Sequence, residues 1–124
     1  MVPACRLVFK WTSRIGIGAV NHDRIVCLAS GSGRTVENLF HLSRAGKLSA
    51  QIPLVITSRE SAGIVQRANN LGLDLLVVNK TRYDSLARYH DVLIGAVLEA
   101  RPDWVVLAGW LQLFPVPPAL EGRV

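Results

Sequence analysis

The chain has 124 residues, half of them hydrophobic and 19% charged, a composition that supports a substantial core and argues against disorder. That length suits one domain or part of a larger protein. Lys and Arg outnumber Asp and Glu by 14 to 9, a formal +5 that suits an anionic ligand. No run of adjacent basic residues occurs and aromatics make up only 6%, so an RNA-binding domain would rest on net charge alone. The longest apolar stretches, "LDLLVV" and "WVVLAGWL", fall far short of the ~20 residues a membrane helix needs, so no membrane partner is expected. Cys5 and Cys27 show no CxxC or Cys/His spacing, and no metal is expected. Cys27 lies in an apolar run and reads as a buried, reduced thiol, which suits a cytoplasmic protein. His22, His41 and His90 fall at unrelated positions and form no ligand pattern.

In chain order, residues 1–23 carry Arg6, Lys10 and Arg14 with no acid before Asp23. They lack an apolar segment followed by a cleavage site, so a poorly ordered extension or an early start codon is expected, with the domain spanning 24–124. "RIVCLA" (24–29) reads as a buried strand bounded by Ser-Gly. A helix over 35–45 places Val36, Leu39, Phe40 and Ser43 on one face, and Gly46 stops it. "IPLVIT" (52–57) is the second strand, its proline tolerable near the entry. A helix over 62–71 with Ile64, Ala68 and Leu71 on one face closes at Gly72. "DLLVV" (74–78) is the third strand. Asp84 is a candidate N-cap for a long helix bearing Leu86, Tyr89, Leu93, Val97 and Ala100, which Arg101-Pro102 ends. "DWVVLAG" (103–109) is the fourth strand.

This alternation predicts an α/β fold: a Rossmann-like parallel sheet with helices on both faces. Right-handed crossovers align the strand C-termini, where such sheets bind ligands. Four loops are thereby selected: 30–34, 58–61, 79–82 and 109–118. The closing "PPALEGRV" ends as another strand would begin, so the domain is expected to be incomplete, truncated after about four strands.

The turn "SGSGRT" (30–35) joins the first strand to a helix. Glycines allow positive φ and remove Cβ atoms from a ligand's path, while the helix start offers free N–H donors and a partial positive charge. Ser32 and Thr35 add hydroxyls, and Arg34 adds a forked cation. No GxxxxGK[ST] is present, and position 36, where a dinucleotide fingerprint would carry its third small residue, is neither glycine nor alanine but Val36, followed by Glu37. A phosphate cradle and a tight turn that binds nothing both remain open on these residues alone.

"RIVCLASGSGRTVENLF", "VITSRESAGIVQRANNLGL" and "DWVVLAGWLQLFP", in that order and spacing, resemble phosphoribosylglycinamide formyltransferase, which reads "VLxSGxGSNLQ", "SNxxxAxxLxRAxxxGI" and "PDxVVLAGFMRIL". The resemblance runs from Arg24 to Val124. It implies formyl transfer from 10-formyltetrahydrofolate, the co-substrate, to the amine of glycinamide ribonucleotide in purine biosynthesis. It places the substrate phosphate on Gly33, Arg34 and Thr35, with Arg34-Thr35 replacing the family's Ser-Asn. It places the folate on Leu111, Gln112, Leu113 and Phe114, with Gln112 where an arginine is usual. Leu86 stands where some members place a folate-contacting arginine. The family's Asn and His lie in an "N-x-H-P-S-L-L-P" segment that would follow Val124, so no catalytic residue is assigned here and an inactive fragment is expected. For Trp110, proximity to an aromatic ligand competes with plain packing of the strand end. Arg59 receives no role. The alternative function is a non-catalytic nucleotide- or phosphate-binding α/β module.

Overall fold

The apolar runs and amphipathic helices assemble into one five-stranded sheet in the computed structural model, which describes residues 5–7, by their backbone, and 23–124. In chain order the elements are β1 (Cys5–Leu7), β2 (Asp23–Leu28), α1 (Arg34–Arg44), β3 (Ala50–Thr57), α2 (Gly63–Leu71), β4 (Leu75–Val77), α3 (Leu86–Glu99) and β5 (Trp104–Leu107). Short 3-10 turns occupy Lys80–Arg82 and Pro118–Leu120. The spatial order is β1-β4-β3-β2-β5, with β4, β3, β2 and β5 mutually parallel. The expected Rossmann-like parallel sheet is therefore present.

One expectation is corrected at the amino terminus. Cys5–Leu7 do not lie outside the fold; they pair antiparallel with β4 as an edge strand, Cys5 opposite Val77 and Leu7 opposite Leu75. Asp23 also belongs to the sheet, opposite Ala50 on β3. The rest of the expected extension, 1–4 and 8–22, lies outside the described residues.

Helices cover both faces, as the buried strands require. On one face Ile25, Cys27 and Ala29 pack against Val36 and Phe40 of α1 and Ile64 and Ala68 of α2. On the other, Val26, Leu28, Leu54 and Ile56 pack against Tyr89, Leu93 and Val97 of α3. Between Arg24 and Val26 the β2–β3 register slips, because β3 inserts one extra residue between Gln51 and Leu54. Pro53 sits in that bulge, where its missing N–H removes nothing from the ladder.

The long helix starts one residue later than its expected cap. Ser85, not Asp84, is the N-cap, and its hydroxyl accepts from Arg88 N at 3.1 Å. Both residue types cap well; the backbone register selects the serine. At the other end Arg101 takes φ +51°, and Arg24 binds the last carbonyls: Nη2 donates to Ala100 O at 2.7 Å and Nε to Arg101 O at 3.1 Å. Arg24 thus caps α3 and holds it to the start of β2, while its own backbone N–H donates to Asp103 Oδ2 at 2.8 Å.

β5 forms the flank opposite β1. Its Val105 N–H donates outward to Arg123 O at 2.8 Å, and Trp104 and Leu107 are exposed beside it. Trp104 Nε1 donates to Asp23 Oδ2 at 3.2 Å.

Candidate functional site

Because the four central strands are parallel, their C-terminal loops meet on one edge. Ser30, at the end of β2, is the junction. Its Oγ accepts from Ser58 Oγ after β3 at 3.2 Å and from Leu111 N after β5 at 3.3 Å. Glu60 ties the β3 loop to the β4 loop, accepting from Asn79 Nδ2 at 3.4 Å and pairing with Arg82. All four loops singled out by the sequence therefore adjoin.

Gly33 is the N-cap of α1, in the left-handed region at φ +81°, and no side chain caps the helix. The first-turn N–H groups of Arg34, Thr35 and Val36 accordingly find no acceptor among the described residues. Arg34 and Thr35 are exposed at this helix start, so a cation and a hydroxyl are available beside the free backbone donors. Gly33 must be glycine for a second reason: a Cβ there would stand 2.2 Å from Ile64 Cδ1 of α2.

The carbonyls of the same turn face elsewhere. Gly31 O accepts from Ile64 N at 2.9 Å, Ser32 O from Arg67 Nε at 2.7 Å, and Gly33 O from Glu37 N at 3.0 Å. Arg67 also pairs with Glu37 of α1. The turn is thus packed against the start of α2, where a Cβ on Gly63 would come within 3.2 Å of Ser32 Cα.

The loop after β5 splits the second set of candidates. Leu111 and Leu113 are 81% and 72% exposed, whereas Phe114 is 7% exposed and packs in the α3-facing core. Gln112 is half-buried between them. Leu111 and Leu113 therefore present apolar surface outward. Phe114 can offer a ligand only its backbone. Trp110 is buried in the same core with its Nε1 unpaired among the described residues, so packing of the strand end is its role. Leu86 is exposed at the start of α3 and supplies no cation. Arg59 is exposed on the β3 loop.

Burial pushes the Cys27 thiol up to about 12, which makes it inert at neutral pH. Among the described residues, no three His, Cys, Asp or Glu side chains are placed to hold a metal, and no helix is long and apolar enough to cross a membrane. Two functional candidates were missed in the sequence. Ser30 is buried and links three loops, and Arg67 acts on a turn 35 residues away. Arg67-Ala68 does match the "RA" of the family pattern, the one signal available for it.

A parallel sheet whose β2 turns through glycines onto an uncapped helix, with three more strand-end loops gathered beside it, defines a Rossmann-like α/β protein. The chain belongs to the formyl transferase family, whose model matches residues 23–120. A phosphoribosylglycinamide formyltransferase structure from Brucella melitensis superposes with a TM-score of 0.76 at 26% identity, covering 83% of this chain and 55% of that one. A glycinamide ribonucleotide transformylase 1 from Symbiobacterium toebii gives 0.72 at 29% identity, covering 81% and 47%. The chloroplastic phosphoribosylglycinamide formyltransferase of Vigna unguiculata is 25% identical over 97 residues, which is 78% of this chain and 31% of that protein. The family resemblance read from the sequence is thereby borne out, and the chain spans about half or less of these relatives.

Proposed function

We propose that this chain serves formyl transfer from 10-formyltetrahydrofolate to the amine of glycinamide ribonucleotide. In this reading Gly33, Arg34 and Thr35 hold the ribonucleotide 5′-phosphate, and Leu111, Gln112, Leu113 and the Phe114 backbone form part of the folate surface. The observation that carries it is the uncapped start of α1 in the same turn whose first residue, Ser30, accepts from Leu111 N of the β5 loop. Both substrates must be held close together for the amine to reach the formyl carbon. The Leu111 and Leu113 side chains fit a flat heteroaromatic ring, and the α1 donors fit a dianion.

The transfer itself passes through a tetrahedral oxyanion that needs hydrogen-bond donors and a proton acceptor. The Asn–His segment that supplies these in the resemblance has no counterpart among the 124 residues, so this reading gives them binding without turnover. It includes no metal, no nucleic-acid or membrane partner, and a cytoplasmic location. The last rests on the buried thiol of Cys27.

Calorimetric titration tests the reading. Glycinamide ribonucleotide is expected to bind in preference to other ribonucleotides, and Arg34→Met with Thr35→Ala is expected to weaken it. Indifference among ribonucleotides would instead support a non-catalytic phosphate-binding module. Robust formyl transfer by the 124-residue chain would overturn the assignment of binding without turnover.

A further inference from the structure

A turn that binds an anion through N–H groups works only while its carbonyls point away. In "SGSG" this is not automatic, because a peptide plane followed by glycine can rotate at little steric cost. Two carbonyls of the turn are fixed by backbone donors, Gly31 O by Ile64 N and Gly33 O by Glu37 N. The third, Ser32 O, is fixed by a side chain: Arg67 Nε, at 2.7 Å. In a trans peptide the N–H lies opposite the C=O, so holding Ser32 O toward α2 directs Gly33 N–H away from α2.

Arg67 does a second thing at the same place. Glu37 lies in the first turn of α1, where its carboxylate would repel a phosphate bound at the helix start. The Arg67 guanidinium pairs with that carboxylate, and the side chains remain only 29% and 32% exposed. One forked cation thus meets both a carbonyl and a carboxylate, a geometry lysine cannot reproduce.

We infer that Arg67 is a positioning residue for the anion cradle: it locks the Ser32–Gly33 peptide with its N–H toward the ligand and masks the charge of Glu37. The inference rests on the phosphate-cradle reading above and extends it to a residue on another helix that need not touch the substrate.

The test is calorimetric titration of the whole chain with glycinamide ribonucleotide, with thermal midpoints recorded without ligand. Arg67→Met is expected to weaken binding about tenfold, the worth of one charge-assisted contact. Adding Glu37→Gln to Arg67→Met is expected to return at least about threefold of that loss, since the unmasked charge is then gone. Arg67→Lys, which serves if the methionine variant does not fold, is expected to lose about threefold, because it keeps the charge and loses the fork. Unaltered affinity in folded Arg67 variants would overturn the inference, as would a loss that Glu37→Gln does not relieve, which would mark Arg67 as a packing residue. Failure of the unsubstituted chain to bind the ribonucleotide would instead remove the cradle reading beneath it.

Discussion

The backbone N–H of Leu111 donates to the hydroxyl of Ser30 at 3.3 Å, across 81 residues of sequence. Since Ser58 Oγ donates to the same oxygen at 3.2 Å, one buried hydroxyl sets the spacing of three strand-end loops. Ser30→Ala removes the acceptor and leaves the Leu111 amide free. The expected cost is about 1 kcal/mol of stability, measured by urea denaturation. Amide hydrogen exchange at Leu111 should quicken by more than that global loss explains; an unchanged local rate would show that the loop is held by packing alone.

Gly33→Ala should be more damaging. The new methyl meets the buried side chain of Ile64 and must adopt φ +81°, so about 1–3 kcal/mol of stability should be lost. Thermal unfolding reads this directly. Combining it with Ile64→Val should recover only a minor part, because the backbone strain persists.

Arg101 offers a stabilising change. Its φ of +51° follows the α3 C-cap, a place glycine occupies without penalty. Arg101→Gly is expected to raise stability by up to about 1 kcal/mol. The carbonyl of residue 101 continues to accept from Arg24, so that bond is unaffected. A lowered thermal midpoint would mean that the Arg101 side chain contributes more than its backbone costs.

Cys27 gives a pH signature. Its thiol ionises near 9.0, the ordinary value, when unfolded, and burial pushes it up to about 12 when folded. The folded pKa is raised, so the contribution to stability is full below about pH 9 and is lost as pH rises toward 12. In that window the unsubstituted chain should lose stability more steeply than Cys27→Ala, by up to about 1.4 kcal/mol per pH unit. At pH 8, in a Cys5→Ser background, labelling of Cys27 by a thiol reagent should proceed only at the rate of unfolding.

Much of the fold was legible because runs such as "RIVCLA" and "IPLVIT" are largely buried and announce themselves without alternation. Helix ends were legible to a residue, with Asp84 and Ser85 adjacent and equally able to cap. β1 was not legible: three residues pairing antiparallel at an edge carry no pattern of their own. At the site, the glycine turn onto the uncapped start of α1 at Gly33, Arg34 and Thr35 could be read because its residues are consecutive. Ser30 and Arg67 could not, because each acts through partners brought together only by the sheet. The burial of Phe114 was likewise not legible, because the loop after Gly109 turns its ring into the α3-facing core.

The exposed Trp104 on the β5 flank has an optical consequence. Its indole is 47% accessible and tethered to Asp23, whereas the indole of Trp110 is sealed in the core. With Trp11 replaced by phenylalanine, the emission of the protein should divide into a red-shifted component that acrylamide quenches and a blue-shifted one that it does not. Anything that settles on the β5 flank would blue-shift the first and leave the second as an internal reference. The sheet thereby carries its own fluorescent gauge of which flank is covered.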